Sequence, residues 1–527
     1  MGENFRVMDE RRAKPDPYFS HWADQAAKRT MAARPDTEIF VVAAGITPSG
    51  VVHIGNLREV ITVDFLARAL RDQGVKVRVI YSWDDFDVFR KVPKDMPKQE
   101  MLQENLRRSI ADVPDPCGAH DSYASHQIDT FEKSIEPLGI EPEFIRQSRR
   151  YRAGDYAQRI RRALERRDRI REILDRHRNQ LLGDDWLPLS GFCGACGRDP
   201  LEFEWDGEWC VSYRCRGCGH EHRLDLREGG NVKLPWRIDW PMRWAHEDVS
   251  FEPGGKDHTS AGGSYDTAKE IVRDVYGARA PEYIAYDFVR IKGRGGKISS
   301  SAGGAVTVSD ALEIYEPEML RWLFASYRPN TEFQISFDLD VIKLYEDYDR
   351  SRQTAHQIDD GGRGDRKRQT ARRMLQLASV DNHRIQPGDP LPFVPAFRPL
   401  SMILQIYDGD IDRALAYYEA AGSIRTEGER QRFRERARRV WTWIYKYAPD
   451  TFRYRIRSEA TVRELSDPQA AAVRQLVEIL RREPDLDEDA LVPHVKSLFE
   501  GTPLRPEALF PVIYDLLIAR PKGPKLT

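Results

Sequence analysis

A short apolar run near the N-terminus most constrains the fold. Residues 39–44 read Ile-Phe-Val-Val-Ala-Ala, which suits a parallel strand buried on both faces. A glycine- and proline-containing turn at 45–50 follows, and from Val52 the apolar residues recur at helical spacing. Residues 76–82 are typical of a second strand. This β-loop-α-β order predicts a Rossmann-like, doubly wound parallel-sheet α/β domain.

Beyond that unit, the sequence pattern changes several times. We expect a helix at 17–33, an arginine-rich helix at about 149–182, a helix at 264–276 and a strand at 283–291. From 366 to 520 we find only helical periodicity. The predicted segments are an N-terminal lead-in (1–37), the first half of the α/β domain (38–92), an inserted domain (93–235), the second half of the α/β domain (236–305), a connecting region (306–358) and an all-helical C-terminal domain (359–527).

The overall charge gives no signal for a polyanionic partner. The 527 residues contain 82 Lys and Arg against 84 Asp and Glu, so any basic surface must be local. No apolar run approaches the about 18 residues of a membrane span, and the N-terminus lacks the apolar core of a secretion signal. We therefore expect a cytoplasmic protein that does not enter membranes.

Four of the six cysteines form two CxxC pairs. Six cysteines are too few for a disulfide scaffold in a chain of this length, and paired CxxC knuckles at zinc-ribbon spacing predict a closed, structural Zn²⁺ site at about 190–224. The predicted ligands are Cys193, Cys196, Cys215 and Cys218. Nearby donors that could join a mixed ligand set are Cys210, His220 and His222. A redox pair is the alternative.

Two further segments have the composition of a nucleotide site. The turn Gly45–Asn56 connects the first strand to its helix, where backbone N–H groups and the positive helix end favour anions. Gly55 has no side chain to block close approach of a ligand, and His53 can donate to phosphate. The segment 292–301 combines glycines, three cations and three serines, as a phosphate-binding loop would. A glycine-rich loop without a ligand is the alternative.

Together the two segments resemble the signature motifs of class I aminoacyl-tRNA synthetases. His53-Ile54-Gly55-Asn56 resembles the HIGH motif, and Lys297-Ile298-Ser299-Ser300-Ser301 resembles the KMSKS loop. Asn56 and Ser300 depart from the general class pattern but agree with the class I lysyl-tRNA synthetases. Segments 45–50, 83–87, 233–240 and 255–258 are also similar to that subgroup.

The resemblance implies that ATP with Mg²⁺ activates L-lysine and that tRNA(Lys) is the acceptor. We expect the protein to be a monomer. The resemblance also implies tRNA stem contact by 306–358 and anticodon binding by 359–527. Charge stabilisation at the reacting phosphate would fall to His53, Asn56 and Lys297, with Ser299 and Ser300 holding the loop. The implied ATP-binding residues are Pro48, Ser49, Gly50, His53, Gly55, Asn56, Lys297, Ile298, Ser299, Ser300 and Ser301.

A lysine substrate also requires partners for its buried ammonium. Asp84, Asp85 and Asp87 follow the second strand and are candidate acceptors, although any of them could cap the next segment. We predict Asp85 and Asp87. The resemblance adds a set of pocket-lining residues, in which Tyr283 could take the place of the tyrosine: Gly45, Thr47, Trp236, His258 and Tyr286. Trp236 could also be a core residue beside Trp240 and Trp244.

A second metal site is implied near residue 117. The family resemblance suggests an Asp, Cys, His, His ligand set, but Ala119 stands where the cysteine is expected and Cys117 comes two residues earlier. The candidate ligands are Asp115, Cys117, His120 and His126. A loop with a free cysteine and surface histidines is the alternative.

Two basic stretches are candidates for RNA contact. Arg159, Arg162, Arg166 and Arg169 would share one helix face, which suits either a tRNA backbone or solvent. Between 425 and 447, arginines accompany four aromatic residues that could stack on bases or fill a core. These are Trp441, Trp443, Tyr445 and Tyr447.

Three other functions are considered. A class I synthetase of another amino-acid specificity is the nearest. A nucleotidyltransferase for a small metabolite shares the His-x-Gly motif, but such enzymes are usually shorter and lack a zinc ribbon. A nucleic-acid-binding module without catalysis would not need Lys297.

Overall fold

A computed structural model describes residues 20–94, 96–258, 263–292, 305–459, 461, 463–484, 486 and 488–523. The contacts divide the chain into two compact units. The first contains the residues up to Ser336 together with Asp347–Leu391, and the second contains Phe337–Glu346 together with the residues from Pro392 onward.

The strands and helices follow one another in a mixed order. The strands are β1 (Ile39–Ile46), β2 (Lys76–Trp83), β3 (Glu143–Arg146), β4 (Ser190–Gly191), β5 (Leu201–Trp205), β6 (Cys210–Cys215), β7 (Glu221–Asp225), β8 (Val232–Lys233), β9 (Val249–Gly255), β10 (Glu282–Tyr286), β11 (Val289–Ile291) and β12 (Phe333–Ile335). The helices of the first half are α1 (Trp22–Ala33), α2 (Ile54–Asp72), α3 (Gln99–Glu104), α4 (Tyr123–Ile135), α5 (Gln147–Arg152), α6 (Ala157–Glu165), α7 (Arg167–Asp175), α8 (Trp236–Glu247) and α9 (Ser264–Asp274). Those of the second half are α10 (Val308–Leu312), α11 (Pro317–Ser326), α12 (Asp340–His356), α13 (Asp365–Ala378), α14 (Phe397–Ile406), α15 (Ile411–Ala420), α16 (Glu427–Lys446), α17 (Asp467–Arg482), α18 (Glu488–Ser497) and α19 (Pro506–Ile518).

The centre of the first unit is a five-stranded parallel sheet. Its order is β3-β2-β1-β9-β10. Successive strands are added toward one edge from β1 to β3 and toward the other edge from β9 to β10, so the order of addition reverses between β1 and β9. The middle of β1 is buried, which explains its continuous apolar sequence. This topology confirms the predicted Rossmann-like, doubly wound fold. Ligands bind at such a reversal, outside the carboxyl ends of the strands.

Two predicted boundaries are corrected by this sheet. Glu143–Arg146 forms the edge strand β3 and pairs with β2, so the segment 93–235 is not wholly an insertion. The strand predicted at 283–291 is two strands in different sheets, because β11 pairs with β12 and not with β9. The chain leaves the central sheet at Asp287, whose backbone N–H donates to the carbonyl of Pro329.

The arginine-rich segment is three short helices, α5, α6 and α7, and not the single long helix that we expected. Arg159 donates to the carbonyl of Ala245, and Arg162 donates to that of Val275. Arg169 forms an ion pair with Asp274 at 2.7 Å. These side chains therefore neutralise the C-terminal ends of α8 and α9. They do not form one open cationic face.

In the second unit, α14, α15 and α16 pack together around Trp443, which is fully buried. Its indole donates to the carbonyl of Phe337, so Trp443 is a core residue, whereas Tyr445 is 73% exposed. No strand occurs between 366 and 520 in the part of the chain that the structure describes.

The predicted start of the helical domain at 359 is too early. Helix α13 belongs to the first unit. Its buried Arg373 forms ion pairs with Asp24 and Asp72, both at 2.5 Å, and these pairs tie α13 to α1 and α2. Breaking a buried pair of this kind leaves an uncompensated charge, so α13 cannot separate cheaply from the first unit.

None of the helices in the described part of the chain is both long enough and apolar enough to cross a bilayer.

Candidate active site

The turn between β1 and α2 holds the first signature motif. His53 is the N-cap of α2, and its Nδ1 accepts a hydrogen bond from the N–H of Gly55 at 3.1 Å. Asn56 accepts from the N–H of His53 at 3.0 Å, which closes a capping box. Because Nδ1 is the acceptor, the proton of a neutral His53 ring lies on Nε2, the nitrogen that can donate to a phosphate oxygen.

Gly55 is required by this arrangement. A Cβ atom there would lie 2.8 Å from Cε1 and 2.9 Å from Nδ1 of His53. The absence of a side chain at Gly55 therefore leaves room for the histidine ring. Pro48, Ser49 and Gly50 lie in the same turn, and the carbonyl of Ser49 accepts from the hydroxyl of Tyr123 at 3.3 Å.

The second motif lies outside the described residues, which include none of Lys297, Ile298, Ser299, Ser300 and Ser301. Both flanks of this segment are described. Before it, the N–H of Lys292 donates to the carbonyl of Ile335. After it, the carbonyl of Val306 accepts from the N–H of Ile54 at 2.8 Å. The chain therefore returns from the motif to the first residue of α2, directly beside His53.

A carboxylate that the sequence analysis missed lies at the centre of the site. Glu59, on α2, accepts from the N–H of Gly45 at 3.1 Å and from the hydroxyl of Tyr286 at 2.9 Å. A Cβ atom at Gly45 would lie 2.7 Å from the carbonyl oxygen of Ser82, so a glycine is needed where β1 and β2 approach. The only signal for Glu59 in the sequence is an acid one helical turn beyond Gly55.

The two candidate tyrosines make different contacts. Tyr286 reaches Glu59, whereas the hydroxyl of Tyr283 lies 3.4 Å from the carbonyl of Gly255 and its ring packs on Tyr265 with centroids 4.1 Å apart. The structure thus brings Gly45 and Tyr286 together around Glu59, and Tyr283 serves packing.

Burial raises the pKa of Glu59 to about 8. Glu252 and Asp84 add to this shift through like-charge repulsion, whereas the two hydrogen bonds oppose it. Among the residues that the structure describes, no Lys or Arg forms an ion pair with Glu59. A bound cation would remove this deficit of positive charge.

Two aspartates after β2 are already paired with cations of the protein. Asp87 accepts from the hydroxyl of Thr47 at 3.0 Å and from the buried ammonium of Lys233 at 2.7 Å. The guanidinium of Arg243 lies 2.7 Å from Asp84. Thr47 and Asp87, both predicted to bind lysine, are therefore in contact with each other, but an ammonium of the chain itself is already paired with Asp87.

Asp85 does not face this site. It is 2% exposed, and its oxygens accept from the N–H of Ser148 at 2.8 Å and from its hydroxyl at 2.6 Å. These bonds fix the beginning of α5 next to the end of β2. The lysine-binding prediction for Asp85 is thus corrected, because its carboxylate is used to cap a helix.

An aromatic wall stands at the end of β9. Trp236 is 39% exposed, and its ring centroid lies 6.0 Å from that of His258, with the Trp240 centroid 6.1 Å from the same histidine. Glu252, in β9, accepts from the indoles of Trp240 and Trp244. Trp236 is therefore not the core residue that its neighbours Trp240 and Trp244 suggested.

The buried charges of the site do not balance. Two cations, Lys233 and Arg243, interact with Asp84, Asp87 and Asp239. Glu59 and Glu252 have no ion pair among the described residues. Carboxylates in excess, beside exposed aromatic rings, suit a ligand with an ammonium group.

The four cysteines of the CxxC pairs come together as predicted. Their Sγ atoms lie within 4.8 Å of one another, with Cys193–Cys218 and Cys196–Cys215 both at 3.7 Å. A Zn²⁺ with four thiolates at about 2.3 Å has edges of about 3.8 Å, so the cluster fits the ion. Cys210, His220 and His222 are not in this cluster. Strands β5, β6 and β7 form the antiparallel ribbon beside it.

The second candidate cluster is only partly assembled. Asp115, Cys117 and His126 offer donor atoms within 4.8 Å of one another. His120 instead bonds to Asp129 through Nε2 at 3.1 Å, and its buried Nδ1 has no hydrogen-bond partner, 3.7 Å from Asp115. Asp115 also accepts three backbone N–H groups of this loop. These donor atoms could bind a metal ion, but the hydrogen bonds of Asp115 also stabilise the loop without one.

Known proteins similar to this chain complete the description. A family model for class I (K) tRNA synthetases matches residues 20–381. Lysine–tRNA ligase of Borreliella burgdorferi is 42% identical over 510 residues, covering 96% of each chain. That of Treponema pallidum is 43% identical over 514 residues, covering 96% of this chain and 95% of its own. A solved glutamate–tRNA ligase from Elizabethkingia meningosepticum, 12% identical, covers 92% of this chain and 95% of its own with a TM-score of 0.39. On the family match and the two relatives, the chain belongs to the class I (K) tRNA synthetases.

Proposed function

We propose that this chain is a lysine–tRNA ligase, which activates L-lysine with ATP and transfers it to the 3′-terminal adenosine of tRNA(Lys). The observation that carries the lysine specificity is Glu59, a half-buried carboxylate with no cation partner among the described residues. The names of relatives that match nearly the whole chain support the same specificity.

The first step joins the lysine carboxylate to the α-phosphate of ATP and releases pyrophosphate. Such chemistry depends on alignment and on neutralising charge. In this proposal His53 donates from Nε2 to a phosphate oxygen, and Asn56 keeps the capping box that orients His53. Lys297, Ser299 and Ser300 bind phosphates from the second motif, and Mg²⁺ enters with the ATP.

The proposed lysine site is the part of the pocket where carboxylates outnumber the cations of the protein. We assign the substrate's side-chain ammonium to Glu59 and Tyr286, and its aliphatic stem to Trp236 and His258. Asp87 accepts from Thr47 and pairs with Lys233, and these contacts fix the position of the turn after β1 beside the pocket. The lysine carboxylate then points toward the turn that contains His53.

Zinc at the four cysteines would stabilise the ribbon and take no part in the reaction. We propose that the second unit binds the anticodon region of tRNA and that residues near 306–358 contact its stem. A cytoplasmic location and a monomeric state stay predictions from the sequence.

Charging of tRNA tests this function together with its catalytic loop. Wild-type protein should attach lysine to tRNA(Lys), and Lys297→Ala should slow adenylate formation by on the order of 10²-fold, as for the loss of one preorganised donor. The control is Arg294→Ala, which removes a cation from the same segment outside the motif. Equal single-turnover rates for wild type and Lys297→Ala would remove Lys297 from the mechanism.

A further inference from the structure

A groove of about 550 Å³ lies between α12 and α13, within the first unit. It is remote in sequence from both signature motifs, and its α12 side belongs to the segment near 306–358 that we propose contacts the tRNA stem. Its lining residues are Asp347, Arg350, Ser351, Thr354, Arg363, Arg366, Lys367, Thr370, Ala371 and Met374.

The loop before α13 contains several aspartates, but arginines of α13 neutralise their charges. Asp359 is 2.5 Å from Arg372, and Asp360 is 2.7 Å from Arg368. Asp365 is also paired with Arg368. These two arginines lie one helical turn apart, so they neutralise all three aspartates away from the groove.

The cations that line the groove are not neutralised by these aspartates. Arg363, Arg366 and Lys367 are exposed, and none of them has an acidic partner among the described residues. Arg350, on the opposite helix, shares the only acid of the lining, Asp347, at 2.9 Å. Four cations thus face one carboxylate, which attracts a polyanion.

The other lining groups indicate which polyanion. Ser351 accepts a hydrogen bond from the indole of Trp322 at 3.2 Å, which leaves its own hydroxyl hydrogen for a phosphate oxygen. Ala371 and Met374 contribute an apolar floor, and no aromatic ring is among the lining residues that the structure describes. Without an aromatic ring to stack on, nucleic-acid bases would gain little binding free energy here, whereas backbone phosphates can pair with the separated cations.

We propose that this groove binds the phosphodiester backbone of tRNA through Arg350, Arg363, Arg366 and Lys367, without reading sequence. The inference rests on the proposed function for its RNA partner. It assigns part of the tRNA affinity to a surface of the first unit, separate from the anticodon contact proposed for the second unit.

The test compares two triple variants of the full-length protein. The groove variant is Arg363→Ala, Arg366→Ala, Lys367→Ala. The control is Lys28→Ala, Arg29→Ala, Lys76→Ala, which removes the same number of exposed cations from the same unit. Binding of fluorescently labelled tRNA(Lys) and of a non-cognate tRNA is measured from about 50 to 200 mM salt.

The groove variant should lose at least about 10-fold in affinity for both tRNAs, and the slope of log affinity against log salt should fall by about 2 to 3. The control should differ from wild type by less than about 2-fold. Lysine binding without tRNA, measured by calorimetry, should be unchanged in both variants.

Three results would overturn the proposal: unchanged tRNA affinity in the groove variant, a loss confined to the cognate tRNA, or an equal loss in the control. Failure of the wild type to charge tRNA with lysine is a separate result, which rejects the proposed function.

Discussion

At the residue scale, the site depends on close contacts that a single atom would disrupt. Gly55 leaves room for the His53 ring, and Gly45 leaves room for the end of β2. Motif residues such as these could be predicted, because the turn that contains them and the segment around Lys297 together resemble the two signature motifs of one family. Glu59 could not, because an acid inside an amphipathic helix usually faces solvent and only the tertiary fold brings it to Gly45 and Tyr286.

Glu59 should make lysine binding depend on pH. Its folded-state pKa is raised to about 8, so a cationic ligand must displace a proton below that pH. Lysine affinity should therefore rise from pH 6 toward pH 8, by up to about 10-fold per pH unit, while the ligand's ammonium stays charged. Calorimetric titration at each pH measures this, and Glu59→Gln should bind weakly with no such trend. The same trend in Glu59→Gln would contradict the assignment.

The raised pKa also has a stability consequence in the absence of ligand. Between the ordinary carboxyl value of 4.5 and about 8, the folded state binds more protons than the unfolded state, so Glu59 makes stability fall as pH rises through this window. Denaturant unfolding of wild type and Glu59→Gln should diverge across this range, with the variant gaining relative stability toward pH 8. Parallel pH profiles would show that Glu59 titrates normally.

The two nearby tyrosines provide a matched pair of variants. Tyr286→Phe removes the hydroxyl that contacts Glu59, whereas Tyr283→Phe removes one that contacts a backbone carbonyl. The first should raise the KM for lysine by about 5- to 50-fold, and the second should change it by less than about 3-fold. Initial rates against lysine concentration decide the matter, and equal effects would mean that Tyr286 is not in the lysine pocket.

At the scale of elements, local sequence pattern explains which strands the sequence could predict. β1 and β2 have the apolar and β-branched residues that are typical of strands. β9 also lies inside the sheet and is buried along its length, but its sequence Val-Ser-Phe-Glu-Pro-Gly-Gly contains a proline and two glycines, so no strand was predicted there. β3 is a four-residue edge strand, Glu-Phe-Ile-Arg, which has no such pattern. The arginines after it were misplaced on one helix, because their partners on α8 and α9 are distant in sequence.

The ribbon is the element with the sharpest prediction. Native protein should contain about one zinc per chain, and Cys193→Ser should lose it with a lower unfolding temperature, because folding of such a ribbon is coupled to its metal. The control, Cys210→Ser, changes a cysteine of the same ribbon that lies outside the cluster, and this variant should keep the zinc. Metal analysis with thermal unfolding measures both effects. Zinc retained in Cys193→Ser would discard the site.

At the scale of the whole molecule, the extent of the first unit could not be predicted from sequence. The Gly- and Asp-rich segment before α13 has the composition of a linker, yet α13 is held to α1 and α2 by buried ion pairs of Arg373. Pairs between residues about 300 positions apart leave no local pattern. The division between units therefore falls after Leu391.

The central claim is that the pocket around Glu59 selects lysine. The most direct test is amino-acid-dependent exchange of pyrophosphate into ATP, run across the standard amino acids with and without tRNA, because some synthetases need tRNA for this step. The account predicts exchange with lysine above all others. Exchange driven instead by glutamate, or by a neutral residue of lysine's length such as methionine, would contradict it.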